Sequence, residues 1–242
     1  MSMDMKISGS GKIPAGEYGE VSISGSGRLY GLVRCEAFST SGASRGESMV
    51  CAGDFRVSGA SDFSGNLKTG TMKVSGGFSC DGEVTADGRI SCSGTLKCQK
   101  NLKCDSLKVS GVLEVGGDIE AEEVRISGHM VCDGLLNAED IEIVVSRGMH
   151  IGSIGGSKIV IYCETKEVKR LPLFSSLVSR ATGSVTVASC VEGDDVAIER
   201  VTCPRVTGRV VAVGAGCQID LVQYSEKAEI SPEAKIGKLE KI

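Results

Sequence analysis

Tryptophan is absent from this chain, and the aromatic residues together make up only 4% of it. That excludes an ordinary globular core built around large rings and leaves a narrow core of aliphatic and small side chains. No run approaches the ~18 apolar residues with which a helix crosses a bilayer. Met1 to Lys6 is short and polar, unlike a secretory leader, so a soluble cytoplasmic protein is expected. Among the 11 cysteines there is no CxxC pair. The tightest set, Cys92, Cys98 and Cys104, has steps of six, which is not a zinc-finger or zinc-ribbon spacing. Reduced thiols without a metal are the better reading. Neither sign of charge dominates: 27 basic and 31 acidic residues are interspersed at a net charge of -4. No nucleic-acid surface is expected from that balance.

What the chain does have is glycine, 33 of 242 residues, in a regular place. A Ser-Gly pair recurs at Gly9, Gly25, Gly42, Gly59, Gly76, Gly94, Gly111 and Gly128, with steps of 16, 17, 17, 17, 18, 17 and 17 residues. A unit this short cannot bury its own apolar face and must stack on copies of itself.

Each repeat reads as three short strands with alternate residues turned inward. Four and two residues before the glycine stand apolar columns, Val21, Phe38, Phe55, Met72, Ile90, Leu107 and Val124, then Ile23, Thr40, Val57, Val74, Cys92, Val109 and Ile126. Two and four residues after it come Phe78 and Cys80, Leu96 and Cys98, Leu113 and Val115, and Met130 and Cys132. Eight and ten after it stand Val33 and Cys35, Val50 and Ala52, Leu67 and Thr69, and their successors to Leu136 and Ala138. This phase turns Cys51 outward and the other repeat cysteines inward. Corners are marked by the repeat glycine, by a second glycine at Gly31, Gly65, Gly82, Gly117 and Gly134, and by Glu36, Gly53, Gly70, Asp87, Asp105, Glu122 and Glu139. Glycine at such corners is expected to supply positive φ. The fold class is therefore all-β, a parallel β-helix of about 17 residues per coil and triangular cross-section, interrupted once.

The interruption follows Ile141, where Val144-Val145 replaces Ser-Gly. The main β-helix is assigned to 5-163, a linker or lid with a short helix to 164-183, and a second, shorter block to 184-242. In that block Val196, Val213 and Ile230 are 17 apart, as are Ile219 and Ile236, and Val222 and Leu239. A solenoid has two ends with unpaired backbone, and nothing long precedes Lys6 to cap the first.

Candidates for chemistry are few. A corner histidine serves β-helical acyltransferases as general base, which singles out His129 and His150, but those enzymes show a six-residue aliphatic-Gly pattern that this chain lacks. The plainer reading is a surface histidine on a loop. Asp118, Glu120, Glu122, Glu123, Glu139, Asp140 and Glu142 would suit calcium and a lyase, yet Lys103, Lys108 and Arg125 interleave with them, so a solvated, partly paired surface is expected. No GxxxxGK[ST] loop occurs.

The units KISGSG at Lys6, VSISGSG at Val21, MKVSGG at Met72, LKVSG at Leu107 and VRISG at Val124 resemble the bactofilins, polymer-forming cytoskeletal proteins of bacteria. The likeness covers residues 5 to 163 and part of 184 to 242, and the two-part core is similar to longer Gram-positive members. It implies a right-handed β-helix with no cofactor and no enzymatic activity, which assembles end to end with itself without a nucleotide. The ends in question are Ile7 and Ile13 on one side and Ile230, Ile236 and Leu239 on the other. It further implies a scaffold for cell-shape, envelope or motility machinery. Its partners would be further copies of itself and membrane-associated or cell-wall proteins, with no small-molecule substrate and a place at the inner face of the membrane. A β-helical acyl or sugar-nucleotide transferase and a carbohydrate-binding rod are the alternatives.

Overall fold

The computed structural model describes residues 3-163 and 183-242. Among these residues there are 26 strands and no helix. The strands pair in parallel from coil to coil and form a β-solenoid of about 13 turns, with coils about 17 residues apart. Each turn has three sides. On the first, Ile7 lies beside Ile23; on the second, Ile13 beside Leu29; on the third, Gly16 beside Val33. The first-side column read from the alternation is buried from end to end, Val21, Phe38, Phe55, Met72, Ile90, Leu107, Val124 and Ile141 each exposing 2% or less.

The linker, lid or short helix assigned to 164-183 lies outside the described residues, Gly183 excepted. The strands on either side of it pair directly. Met149–Tyr162 sets Met149 against Val185 and Ile159 against Val196. The described residues thus form one continuous stack.

Four of the five phenylalanines share one stretch of the core. Phe38 and Phe55 stack with ring centroids 4.7 Å apart, and Phe63 and Phe78 meet Phe55 edge-on at 6.0 and 5.5 Å. The room for them comes from the second side, where Ser44 and Ser61 share a buried 2.6 Å hydrogen bond and Gly46 carries no side chain. A Cβ on Gly46 would meet the Phe63 ring at 2.6 Å. Large side chains are thus matched by small ones in adjacent coils, Phe63 beside Gly46 and Phe78 beside Ser61, which keeps the narrow core close-packed.

Thr40 stands in the first-side column between Ile23 and Val57, 3% exposed. Its Oγ1 is buried without a hydrogen-bond partner in the described structure. A buried hydroxyl left unsatisfied costs about 1–3 kcal/mol, so Thr40→Val, of nearly the same shape, is expected to stabilise the protein by about 1 kcal/mol in a denaturant titration. A loss of stability would show that the hydroxyl has a partner.

The Ser-Gly corner owes its glycine to close approach rather than to positive φ. Among the glycines only Gly31 and Gly216 have positive φ, 64° and 74°. A Cβ on Gly25, Gly42, Gly59, Gly76, Gly94, Gly111 or Gly128 would instead lie 1.9 to 2.0 Å from the carbonyl oxygen of the corner glycine one coil earlier. That oxygen accepts the N–H of the residue following the next corner, as in Ser26 N to Gly9 O at 2.8 Å and Thr95 N to Gly76 O at 2.9 Å. The bond draws successive corners together until a side chain no longer fits. At the second corner the stacking is done by side chains: Asn66, Asn101 and Asp118 each accept a backbone N–H from the following coil, at 3.0, 3.0 and 2.8 Å.

Two phase assignments are corrected. Cys51 is buried at 1% exposure, as is Met49, while Ala52 faces solvent and Val50 is half-buried. The strand Ser48–Val57 carries bulges against both neighbours, and the corner before it is one residue shorter and the one after it one longer than in the preceding coil. A slip of one residue exchanges the two faces of a strand. Since Met49 and Cys51 alternate with Val50 and Ala52, the sequence offers two apolar faces and the corners choose. The second correction is to the stacking of Val196 with Val213. Val196 stacks on Val211, and Val213 on Ile198, 15 residues apart, past a corner where Arg200 takes a φ of 54°. A two-residue slip returns the same face to the core, so alternation does not reveal it. The 17-residue steps from Ile219 to Ile236 and from Val222 to Leu239 are present.

Candidate functional site

The two ends of the solenoid differ. In the first coil, Met3–Ile7 pairs only with Gly16–Ile23, and Ser10–Ile13 only with Ser26–Leu29, so both have an unpaired outer edge among the described residues. The apolar columns beneath that edge are closed by their own side chains. Ile7 leans over Gly11, whose Cβ would come within 2.9 Å of Ile7 Cδ1, and the buried Tyr18 donates its hydroxyl to Pro14 O at 2.9 Å. Ile7 keeps 9% of its surface and Ile13 none, and the exposed apolar side chain at this end is Met3. A cap built from residues of the repeat itself leaves no sequence signal except the lone tyrosine in a column of small residues.

The last coil is more open. Lys235–Lys241 pairs only with Gln218–Ile230 among the described residues. Ile230, Ala234 and Ile236 are partly buried, and Leu239 and Ile242 are exposed at 48% and 64%. Lys235, Lys238 and Lys241 punctuate this edge, the side-chain type that blunts indiscriminate strand pairing. Lys238 bonds to Glu240, which also accepts a hydrogen bond from Gln223 at 3.1 Å, and these partners hold the Glu240 carboxyl below its usual range. Of the five residues singled out for the ends, Ile7 and Ile13 therefore lie inside, Ile230 and Ile236 at the margin, and Leu239 at the surface.

The candidates for chemistry are dispersed. His129 and His150 both sit on the second side, His129 beside Val112 and His150 beside Val131, one coil apart. Neither imidazole has a hydrogen-bond or ion-pair partner among the described residues, although the His129 backbone N–H donates to Gly111 O at 2.9 Å. Four of the acidic residues are engaged: Lys103 meets Glu120 at 2.7 Å and Arg125 meets Glu142 at 3.8 Å across coils, Arg125 meets Glu123 at 2.6 Å within one strand, and Asp118 caps Leu135 N of the next coil. Among the described residues no three His, Cys, Asp or Glu side chains converge as metal ligands would. Exposed, solvent-screened pairs of this kind order the surface more than they stabilise it. No helix among these residues is long and apolar enough to cross a membrane.

No family model matches the chain, and no solved structure does. It is similar to the uncharacterized protein YhbF of Bacillus subtilis (strain 168), 33% identical over 93 residues, which are 38% of this chain and 35% of that protein. The match thus spans about a third of the relative's length.

Proposed function

We propose that this chain is a non-enzymatic scaffold of the bactofilin kind, which polymerises through the ends of its solenoid without a nucleotide and organises envelope, cell-shape or motility machinery. The observation that supports this reading most is the last coil, where strand edges and the half-buried Ile230 and Ile236 meet exposed Leu239 and Ile242. Covering such an end with another coil would continue both the hydrogen-bond ladder and the apolar columns. If the first coil of a second copy docked there in register, Asp4 would face Lys227 and Lys6 would face Glu229, whereas Lys12 would face Lys235 and Glu17 would face Glu240. Two favourable and two unfavourable charge pairs nearly cancel. Apolar contact then decides the association, and added salt is expected to weaken it little.

Negative-stain electron microscopy of the purified protein without ATP or GTP is expected to show filaments or sheets whose length grows with concentration. Leu239→Glu is expected to shorten or abolish them while leaving the circular dichroism of the monomer unchanged. A particle that stays monomeric by light scattering at the highest attainable concentration would refute the assembly reading.

A further inference from the structure

Two ladders of charge run along the rod, one of each sign, and neither is satisfied within the chain. On the second side Lys12, Arg28 and Arg45 are direct partners on successive parallel strands, all exposed. Like charges directly opposite each other on neighbouring strands repel. Elsewhere the coils do the reverse: further along the same column Lys97 meets Glu114 at 2.7 Å, and on the third side Lys103 meets Glu120 at 2.7 Å. In the basic ladder Arg45 alone has a carboxylate, Asp62 of the next coil at 3.6 Å, while Lys12 lies over the Tyr30 ring, 5.9 Å from its centroid. The three cations border a shallow hollow together with Tyr30, Ser10 and Ser26.

The acidic ladder is at the third corner, where Asp105, Glu122 and Glu139 mark successive coils. Glu122 N donates to Asp105 O at 2.9 Å, and Asp140 N, just after Glu139, donates to Glu122 O at 3.1 Å. The three carboxylates are exposed and have no hydrogen-bond or ion-pair partner among the described residues. A corner is a ridge, and the basic ladder borders a hollow. Both ladders also repeat with the coil, about 4.8 Å per step, so three charges of one match three of the other. Within one chain they cannot meet. The register places Lys97 five coils along the column from Lys12, and Asp105 closes that coil, so the ladders are offset by roughly 25 Å.

We propose that the partner of the basic ladder is the acidic ladder of a second copy of this chain, lying alongside, parallel and staggered by five to six coils. Lys12 then faces Asp105, Arg28 faces Glu122 and Arg45 faces Glu139. The next residue of the column sets the orientation. In the parallel arrangement Asp62 faces Ser157, beside Lys158, whereas in the antiparallel one it faces Asp87 and repels it. Because the two patches differ, each copy offers one ladder to each of two neighbours and the contact does not close on itself. Three exposed ion pairs are too few to hold two free copies against their lost freedom, but a filament repeats the contact at every subunit. The lateral contact therefore rests on the end-to-end reading for its strength, and it joins filaments into sheets of one polarity.

The test is zero-length carbodiimide cross-linking of the full chain at low salt, mapped by mass spectrometry. A Lys12–Asp105 amide is expected, and the offset within one chain makes any such link intermolecular. Arg28→Glu should lower its yield about tenfold, one attractive pair being lost and one repulsive pair gained, and adding Glu122→Arg should restore it. Salt at 1 M, where the screening length is about 3 Å, should abolish it. Absence of the Lys12–Asp105 link in a sample where Lys103 has linked to Glu120 would overturn the proposal, as would a yield indifferent to Arg28→Glu. A Lys6–Glu229 link in the same digest reports the end contact separately, so a failure of the lateral contact is told apart from a failure of end-to-end growth.

Discussion

Alanine at Gly94 is expected to disrupt the middle of the rod, and alanine at Gly9 to change almost nothing. The two glycines hold the same place in the repeat. A Cβ on Gly94 would lie 2.0 Å from Gly76 O and 2.5 Å from Ser75 O, whereas one on Gly9 would meet nothing within 4 Å, since it lies in the first coil. The obstructing atoms are backbone and belong to the hydrogen-bond ladder, so rotamer changes cannot relieve the contact and the corner must open. We expect Gly94→Ala to cost about 3–5 kcal/mol, above the usual range for an inserted methyl group, and Gly9→Ala to stay within about 0.5 kcal/mol. Denaturation followed by circular dichroism measures both. Similar losses for the two variants would mean that conformational freedom, which all corner glycines share, explains the motif.

Phe55→Ala is expected to cost about 3–5 kcal/mol, because the ring is fully buried and stacked between coils, and a narrow prism held by three hydrogen-bonded sides has little freedom to collapse around the cavity. Phe55→Leu should recover more than half of that loss. The decisive comparison adds Gly46→Ala, whose new methyl would press on the Phe63 ring at 2.6 Å in the same cluster. If large and small residues compensate one another between adjacent coils, Gly46→Ala alone destabilises, and its cost falls markedly when Phe63→Leu, its register partner one coil on, is also present. Strict additivity of the two substitutions would show that the glycine beside the Phe63 ring is incidental.

Much of this architecture was legible in the chain itself. Alternation at Val21 and Ile23, repeated to Val124 and Ile126, named the buried residues of the first side, and all of them are buried. Burial decides alternation, and the repeat supplies many readings of the same pattern. Legibility failed where both phases of a strand were apolar, as at Met49 to Ala52, and where coil length changed by two, as between Ile198 and Val213. The ends were harder to read. Ile7 and Ile13 look like the Ile residues of any coil, and their burial depends on Ile7 folding over Gly11 with Tyr18 buried beside it, contacts with no periodic signature.

By itself, the sequence determined that the chain must stack, with three strands per turn, because a 17-residue unit with two apolar residues per strand can bury them only against its neighbours. Tertiary structure alone decided the finer points. It closed the first coil and left the last one open, turned Cys51 to face Cys35, and put the need for glycine at Ser-Gly in the carbonyl of the coil before. Each of these depends on distances between residues 15 to 18 apart in sequence, fixed by how tightly the coils pack and not by the local preference of any residue.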